Sequence, residues 1–337
     1  MTTRATTPRS TMEVITIEEH WTTPALDRIL RAHDDSVTLN DHVRSDLLDV
    51  GDQRVAAMDA SGVDLQILSL TPPGTHCLPP KEAIALSREA NDRATEAVAR
   101  HPTRLRAMTT LPMTDPEAAV AELTRTANSP AHVGLMTYGR TGTRHLDDPA
   151  YDDLLATAAA LRRPIFIHPQ IPPPEVRAAS YQGFTPALDL ALSTYGWGWH
   201  QEAGLAALRL ILRGTFDRHP DLQIVLGHWG EHLLPALDRA NTLTRAAHLD
   251  RRVSDYFHTN IHITTSGMLT PRLLHHALTR TTPDRILLSA DYPFHRLTPE
   301  TITDFLAALP NPEDRLKITT TNAQRLFGLN REDQPRH

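Results

Sequence analysis

The chain has 337 residues, enough for one large α/β domain, and its 34 Lys and Arg against 40 Asp and Glu leave a formal charge of −6. Charges of both signs are interspersed rather than blocked, which excludes a nucleic-acid or anionic-membrane binder and leaves a small molecule as the expected partner. Cys77 is the only cysteine, so an intrachain disulfide and a cysteine-based zinc cluster are excluded, a reducing, cytoplasmic setting is expected, and no apolar run approaches the roughly 18 residues of a membrane span.

Residues 1–12 are rich in Thr and Arg, lack the apolar segment of a signal peptide, and read as a disordered leader. One domain is expected over 13–330, followed by a short tail, 331–337. From residue 14 onward, short β-rich runs alternate with helix-like stretches, the signature of parallel βα units. The runs fall at 14–18, 65–70, 105–111, 133–137, 164–168, 223–228, 260–265 and 285–291. Eight is the number that a closed (β/α)8 TIM barrel needs. Several of them, such as Ile165-Phe-Ile and Ile224-Val-Leu, are apolar on both faces, as strands covered on both sides must be.

Helices are expected at 80–100, 115–127, 148–161, 201–219, 231–247, 271–279 and 299–309, with Asp115 before Pro116 as a start signal and Gly328 as a stop. Two stretches break the rhythm. Residues 22–53 read as a polar insertion over one end of the barrel, and 169–200 as a long loop carrying Tyr195-Gly-Trp-Gly-Trp-His200.

Polar residues recur where the apolar runs stop. Glu18 and His20 end the first run, His168 the fifth, His228 the sixth and Asp291 the eighth. In an extended strand side chains alternate, so Glu18 and His20 project together and Glu19 away from them. A parallel barrel gathers all these ends at one mouth. Three or more N and O ligands with an open position describe a catalytic metal site, and Zn²⁺ or Mn²⁺ suits such a set.

In Gly227-His228-Trp229-Gly230-Glu231 the carboxylate three residues on either holds the second nitrogen of His228 or answers a helix dipole. Arg239, two helical turns further, either reaches an anionic substrate or faces solvent. Trp197 and Trp199 share a face if their segment is extended, which makes either a flat wall for a planar ring or ordinary packing. His262 is read as a structural residue lining the barrel. No Gly-rich phosphate loop or Gly-x-Ser-x-Gly elbow is present.

Six stretches together resemble the amidohydrolase-related, metal-dependent decarboxylases, in particular the γ-resorcylate (2,6-dihydroxybenzoate) enzymes. They are Ile17-Glu-Glu-His-Trp, Ile165-Phe-Ile-His-Pro, Ile224-Val-Leu-Gly-His-Trp-Gly-Glu, His262-Ile-Thr-Thr-Ser-Gly, Leu288-Ser-Ala-Asp-Tyr-Pro-Phe and Thr321-Asn-Ala-Gln-Arg-Leu-Phe. The resemblance implies an amidohydrolase-like barrel with one divalent ion at Glu18, His20, His168 and Asp291. It implies His228 and Glu231 as a catalytic pair, Asp291 as proton donor, Trp197 and Arg239 beside the substrate, and a homodimer or homotetramer.

Glu-x-His in the first motif, in place of the His-x-His of many hydrolytic members, favours the decarboxylases. The expected activity is therefore non-oxidative loss of carbon dioxide from a hydroxylated aromatic acid. Metal-dependent hydrolysis of a small ester, lactone or amide is the alternative with the same residues, and a non-catalytic barrel is the third.

Overall fold

A computed structural model describes residues 12–32 and 39–329. The expected leader, except Met12, and the tail lie outside the described residues. Eight strands form one parallel sheet in chain order: β1 (Ile15–Trp21), β2 (Leu65–Leu70), β3 (Leu105–Thr110), β4 (His132–Tyr138), β5 (Ile165–His168), β6 (Ile224–Leu226), β7 (Ile261–Thr264) and β8 (Ile286–Leu287). Each pairs in parallel with the next.

The ring closes just beyond β8. Ile17 N–H donates to Leu288 O at 3.3 Å and His20 N–H to Tyr292 O at 2.7 Å. All eight sequence-predicted runs are therefore present and in the expected order, and they build a (β/α)8 barrel.

Ile15, Ile17, Ile67, Met108, Phe166, Val225 and Leu287 fill the interior, and Ala323 and Phe327 from the closing helix Asn322–Phe327 pack against them. A second, larger core lies between the strands and the outer helices. The helix Pro80–Arg100 shows why: Ala83, Ser87, Ala90, Ala94 and Ala97, three or four residues apart, are its buried stripe, while its other face carries charges. The helix Pro116–Ala127 starts as read, with the Asp115 carboxylate accepting from Ala118 N–H at 3.0 Å, a cap of the kind that contributes about 1 kcal/mol.

The insertion after β1 is not a plain polar loop. It contains the helices Pro24–Leu30 and Asp41–Leu48, whose Leu26 and Leu47 are buried, and Thr22 N–H donates to Leu47 O at 2.7 Å. The following helix, Asp52–Ser61, sends Arg54 inward, fully buried, to donate to His20 O at 2.5 Å and to Gln66 Oε1 at 3.3 Å. A buried guanidinium is stable only when its donors are used, and here they hold the end of β1 in place.

The long connection after β5 also needs correction. Residues 169–200 hold two helices, Pro174–Ser180 and Pro186–Ser193, each with Pro at its start. Trp199 and His200 lie in the first turn of a third, Gly198–Leu212.

Candidate active site

The mouth is built from backbone that L-residues avoid. Among the described residues, nine other than glycine have left-handed φ, and seven of them lie here: Glu18, His228, Trp229, Glu231, His232, Ser266 and Asp291. Each costs about 1–2 kcal/mol, so the surrounding structure must impose it.

At Glu18 the purpose is visible. Ile15 and Ile17 face the barrel interior, and plain alternation from them would turn Glu18 and His20 outward. A bulge between Ile17 and Glu19, with Glu18 at φ 65°, inserts one residue against β2 and resets the phase. Glu18 and His20 then both enter the mouth, while Glu19 faces out to accept from Gln66 Nε2 at 2.9 Å and Ala290 N–H at 3.0 Å.

Glu18 is fully buried. Its Oε2 accepts from Ser266, from Ser289 at 3.2 Å and from Thr264 at 3.4 Å, whereas Oε1 has no hydrogen-bond partner. That unsatisfied oxygen lies 3.8 Å from both His168 Nε2 and His228 Nδ1. Burial raises the carboxyl to about 7, against the opposing pull of His228.

His168 gives Nδ1–H to Pro169 O at 2.7 Å, which leaves the Nε2 lone pair directed elsewhere, and burial lowers its pKa to about 3, so it is a neutral imidazole. Donor atoms of Glu18, His20 and His168 lie within 4.8 Å of one another. Asp291 joins them, with Oδ1 at 3.3 Å from His20 Nε2. Burial pushes its carboxyl up, but His20 and His228 overcome this and hold it below the usual carboxylate range. A buried carboxylate oxygen without a donor, beside two imidazoles and a second carboxylate, fits a divalent cation.

The turn after β6 carries the second cluster. His228 Nδ1 lies 2.8 Å from Glu231 Oε1, and His228 Nε2 is 3.8 Å from Asp291 Oδ2. Burial works against an imidazolium here, yet Glu231 and Glu18 keep the His228 pKa well above its ordinary value. Gly227 is required, because a Cβ there would lie 2.8 Å from Glu231 Oε1 and 3.1 Å from Glu18 Oε1.

Sequence reasoning missed His200. Its Nδ1 is 2.7 Å from Glu231 Oε2 and its Nε2 is 3.1 Å from Tyr195 O, so both ring nitrogens face acceptors. Burial raises the Glu231 carboxyl, but His228 and His200 more than reverse this and bring it down to about 2. The only signal in the sequence is a His directly after Trp199 in the aromatic segment, and its placement on a helix was not legible there.

The two tryptophans do not form one wall. Trp199 stands edge-on to His168, with ring centroids 6.5 Å apart and a buried Nε1 without a partner. Trp197 is half exposed and stacks on His232 at 4.6 Å, because a helix start, not a strand, separates the pair. Arg239 is exposed in the last turn of the helix Leu233–Ala240. Of the two readings open for it, this chain alone shows the solvent-facing one.

A sequence profile of the amidohydrolase family matches residues 42–329. This chain belongs to that family. Within it, the chain is 37% identical over 297 residues to a γ-resorcylate decarboxylase of Rhizobium radiobacter, covering 84% of this chain and 88% of the relative. Among solved structures it superposes on a 2,6-dihydroxybenzoate decarboxylase complexed with 2,6-dihydroxybenzoate at a TM-score of 0.83 and 34% identity, over 94% of this chain and 99% of the other. It also matches a dihydroxybenzoic acid decarboxylase of Polaromonas with bound manganese and the inhibitor 2-nitroresorcinol, at 0.83 and 33% identity over 96% and 98% of the two chains. These place the chain in the family's decarboxylase branch.

Proposed function

We propose that this protein is a metal-dependent, non-oxidative decarboxylase of a hydroxylated aromatic acid of the resorcylate or salicylate type. The observation that carries the reading is the Glu18 Oε1 atom, buried and unpartnered among His168, His228 and the His20–Asp291 pair. Glu18, His20, His168 and Asp291 would hold one divalent ion, Mn²⁺ or Zn²⁺. Manganese in the Polaromonas relative supports the first. When bound there, the ion would supply Lewis acidity toward the substrate's oxygens.

Asp291 carries the proton. It takes one from the substrate's ortho hydroxyl on binding and delivers it to the carbon that bears the carboxylate, which breaks aromaticity. Cleavage of the bond to the carboxylate then releases carbon dioxide, and its electron pair restores the ring. His228, held by Glu231, donates to the departing carboxylate and orients it. His200 holds the other oxygen of Glu231 and so fixes the pair. Trp199, edge-on to His168 with a free N–H, contributes to the ring's pocket.

Trp197, half exposed and stacked on His232, and Arg239, exposed on this chain, stay candidates for contact with the substrate. A homodimer or homotetramer is supported by the exposed apolar side chains Phe184, Leu188 and Tyr195 in the connection after β5, and light scattering of the purified protein tests it. Among the described residues no helix is long and apolar enough to cross a membrane. We place the protein in the cytoplasm on its single cysteine, which cell fractionation checks.

The test of the activity is a panel: 2,6-dihydroxybenzoate and substituted salicylates assayed for carbon dioxide, with esters, lactones and amides assayed for hydrolysis. Carbon dioxide release from a member of the first group is expected. Turnover of the second group alone would replace this reading with metal-dependent hydrolysis.

A further inference from the structure

The barrel has a second concave region at the end opposite the mouth. A cavity of about 510 Å³ opens there between the beginnings of β5 to β8 and the closing helix. The filled barrel interior, with Ile17, Ile67 and Phe166, lies between it and the mouth. None of the residues discussed so far for catalysis lines it.

The cavity holds more donors than acceptors. Arg162, Arg163, Arg285 and Arg325 line it, against the carboxylates of Asp221 and Asp284. Asp284 is already engaged by Lys317 Nζ at 3.2 Å and faces Arg325 Nη1 at 3.9 Å. Among the described residues Arg162, Arg163 and Arg285 make no ion pair; Arg163 donates to Ala127 O at 3.0 Å and Arg285 to Gln223 Oε1 at 2.9 Å, and Arg163 Nε is buried without an acceptor.

His262 sharpens the picture. It is buried, lines the cavity, and its Nε2 lies 3.5 Å from Arg285 Nη1. A guanidinium can only donate, so Nε2 accepts and the ring proton sits on Nδ1. That Nδ1–H is buried and has no acceptor. Burial, then the charges of Arg285 and Arg325, hold this imidazole neutral. Half-buried guanidiniums without carboxylate partners around one space are costly unless an anion supplies acceptors.

We propose that this cavity binds a small organic molecule through an oxyanion, a carboxylate or a phosphate, with Arg163 and Arg285 as its donors and Arg162 at its entrance. The volume exceeds what a bare oxyanion fills and lies in the range of small-molecule pockets. The site is separate from the decarboxylase centre and does not depend on that assignment.

Titration calorimetry of the metal-loaded protein with inorganic phosphate and with succinate, at ionic strength matched with chloride, tests the proposal. Saturable binding of at least one probe is expected, and which one binds assigns the oxyanion class. Arg163→Gln should weaken that binding about tenfold or more, as loss of a charge-assisted donor does. Arg162 is exposed, so Arg162→Gln leaves folding untouched and should weaken binding by a smaller, measurable factor. Asp291→Asn, at the mouth, should leave the affinity for the probe unchanged. Absence of saturable binding by either probe, or equal affinities in wild type, Arg162→Gln and Arg163→Gln, would overturn the proposal.

Discussion

Two buried histidine neighbourhoods on this barrel differ in one respect that explains their roles. Around His132, at the start of β4, every polar atom is matched: the ring meets Thr95 Oγ1 at 3.1 Å, Thr109 Oγ1 at 3.3 Å and Asn91 O at 3.2 Å, and Asn91 in turn donates to Glu122 at 2.7 Å. None of these residues has a left-handed φ. At the mouth the backbone is left-handed at seven residues and Glu18 Oε1, Trp199 Nε1 and Tyr138 Oη are left without partners. A satisfied network stabilises a fold, whereas an unsatisfied one kept at a conformational cost is a place prepared for a ligand. Identity of residue type is therefore a weaker guide to function than the state of its hydrogen bonds.

Substitutions can break this contrast from either side. Glu18→Gln removes the charge at the unsatisfied oxygen and should leave protein that folds but retains no stoichiometric metal and no measurable carbon dioxide release, read by elemental analysis and by headspace assay. Asp291→Asn should lower kcat by about 10²–10⁴-fold, as loss of a positioned proton donor does. A kcat within a few-fold of wild type would remove Asp291 from its role.

Smaller effects are expected further out. His200→Ala should lower kcat about tenfold with little change in KM and shift the acid limb of the pH profile, because Glu231 loses a donor, while His200→Gln, which keeps one, should recover part of the loss. A uniform loss in both variants with an unmoved pH profile would make His200 merely structural.

The His132 side responds in stability instead of rate. Burial, partly offset by the Asn91 carbonyl, lowers its pKa from 6.5 to about 4. The unfolded chain therefore takes up a proton on this ring at a higher pH than the folded chain does. Stability is unaffected above about 6.5 and falls as pH drops toward 4, by about 3 kcal/mol in all from this ring. His132→Gln should flatten that part of the acid-denaturation curve, measured by urea unfolding at several pH values, and leave kcat nearly unchanged. Persistence of the same acid slope would show that other groups set it.

The strands were legible because each is a short apolar run, and their polar ends gave Glu18, His20, His168, His228 and Asp291 without further help. What alternation alone got right at Glu18 and His20 it got right for an incomplete reason. The inward pair depends on a bulge, and a bulge is a register event against β2 that one strand's sequence does not disclose. The Trp197–His200 segment was misread because two glycines between aromatic residues look like loop, while the packing of Gly198–Leu212 onto the barrel makes it a helix start. His200 was hidden by the same error, since its partner is 31 residues away. The donors around His262 were equally invisible, because an atom without a partner is a property of packing and not of spacing.

The proposed activity rests on one divalent ion held by Glu18, His20, His168 and Asp291. The most direct measurement is to strip the protein with a chelator and titrate Mn²⁺ back while following carbon dioxide from 2,6-dihydroxybenzoate. Activity should be absent from the stripped protein and return in proportion to metal, saturating at one ion per chain. Carbon dioxide release that survives complete removal of metal would contradict it.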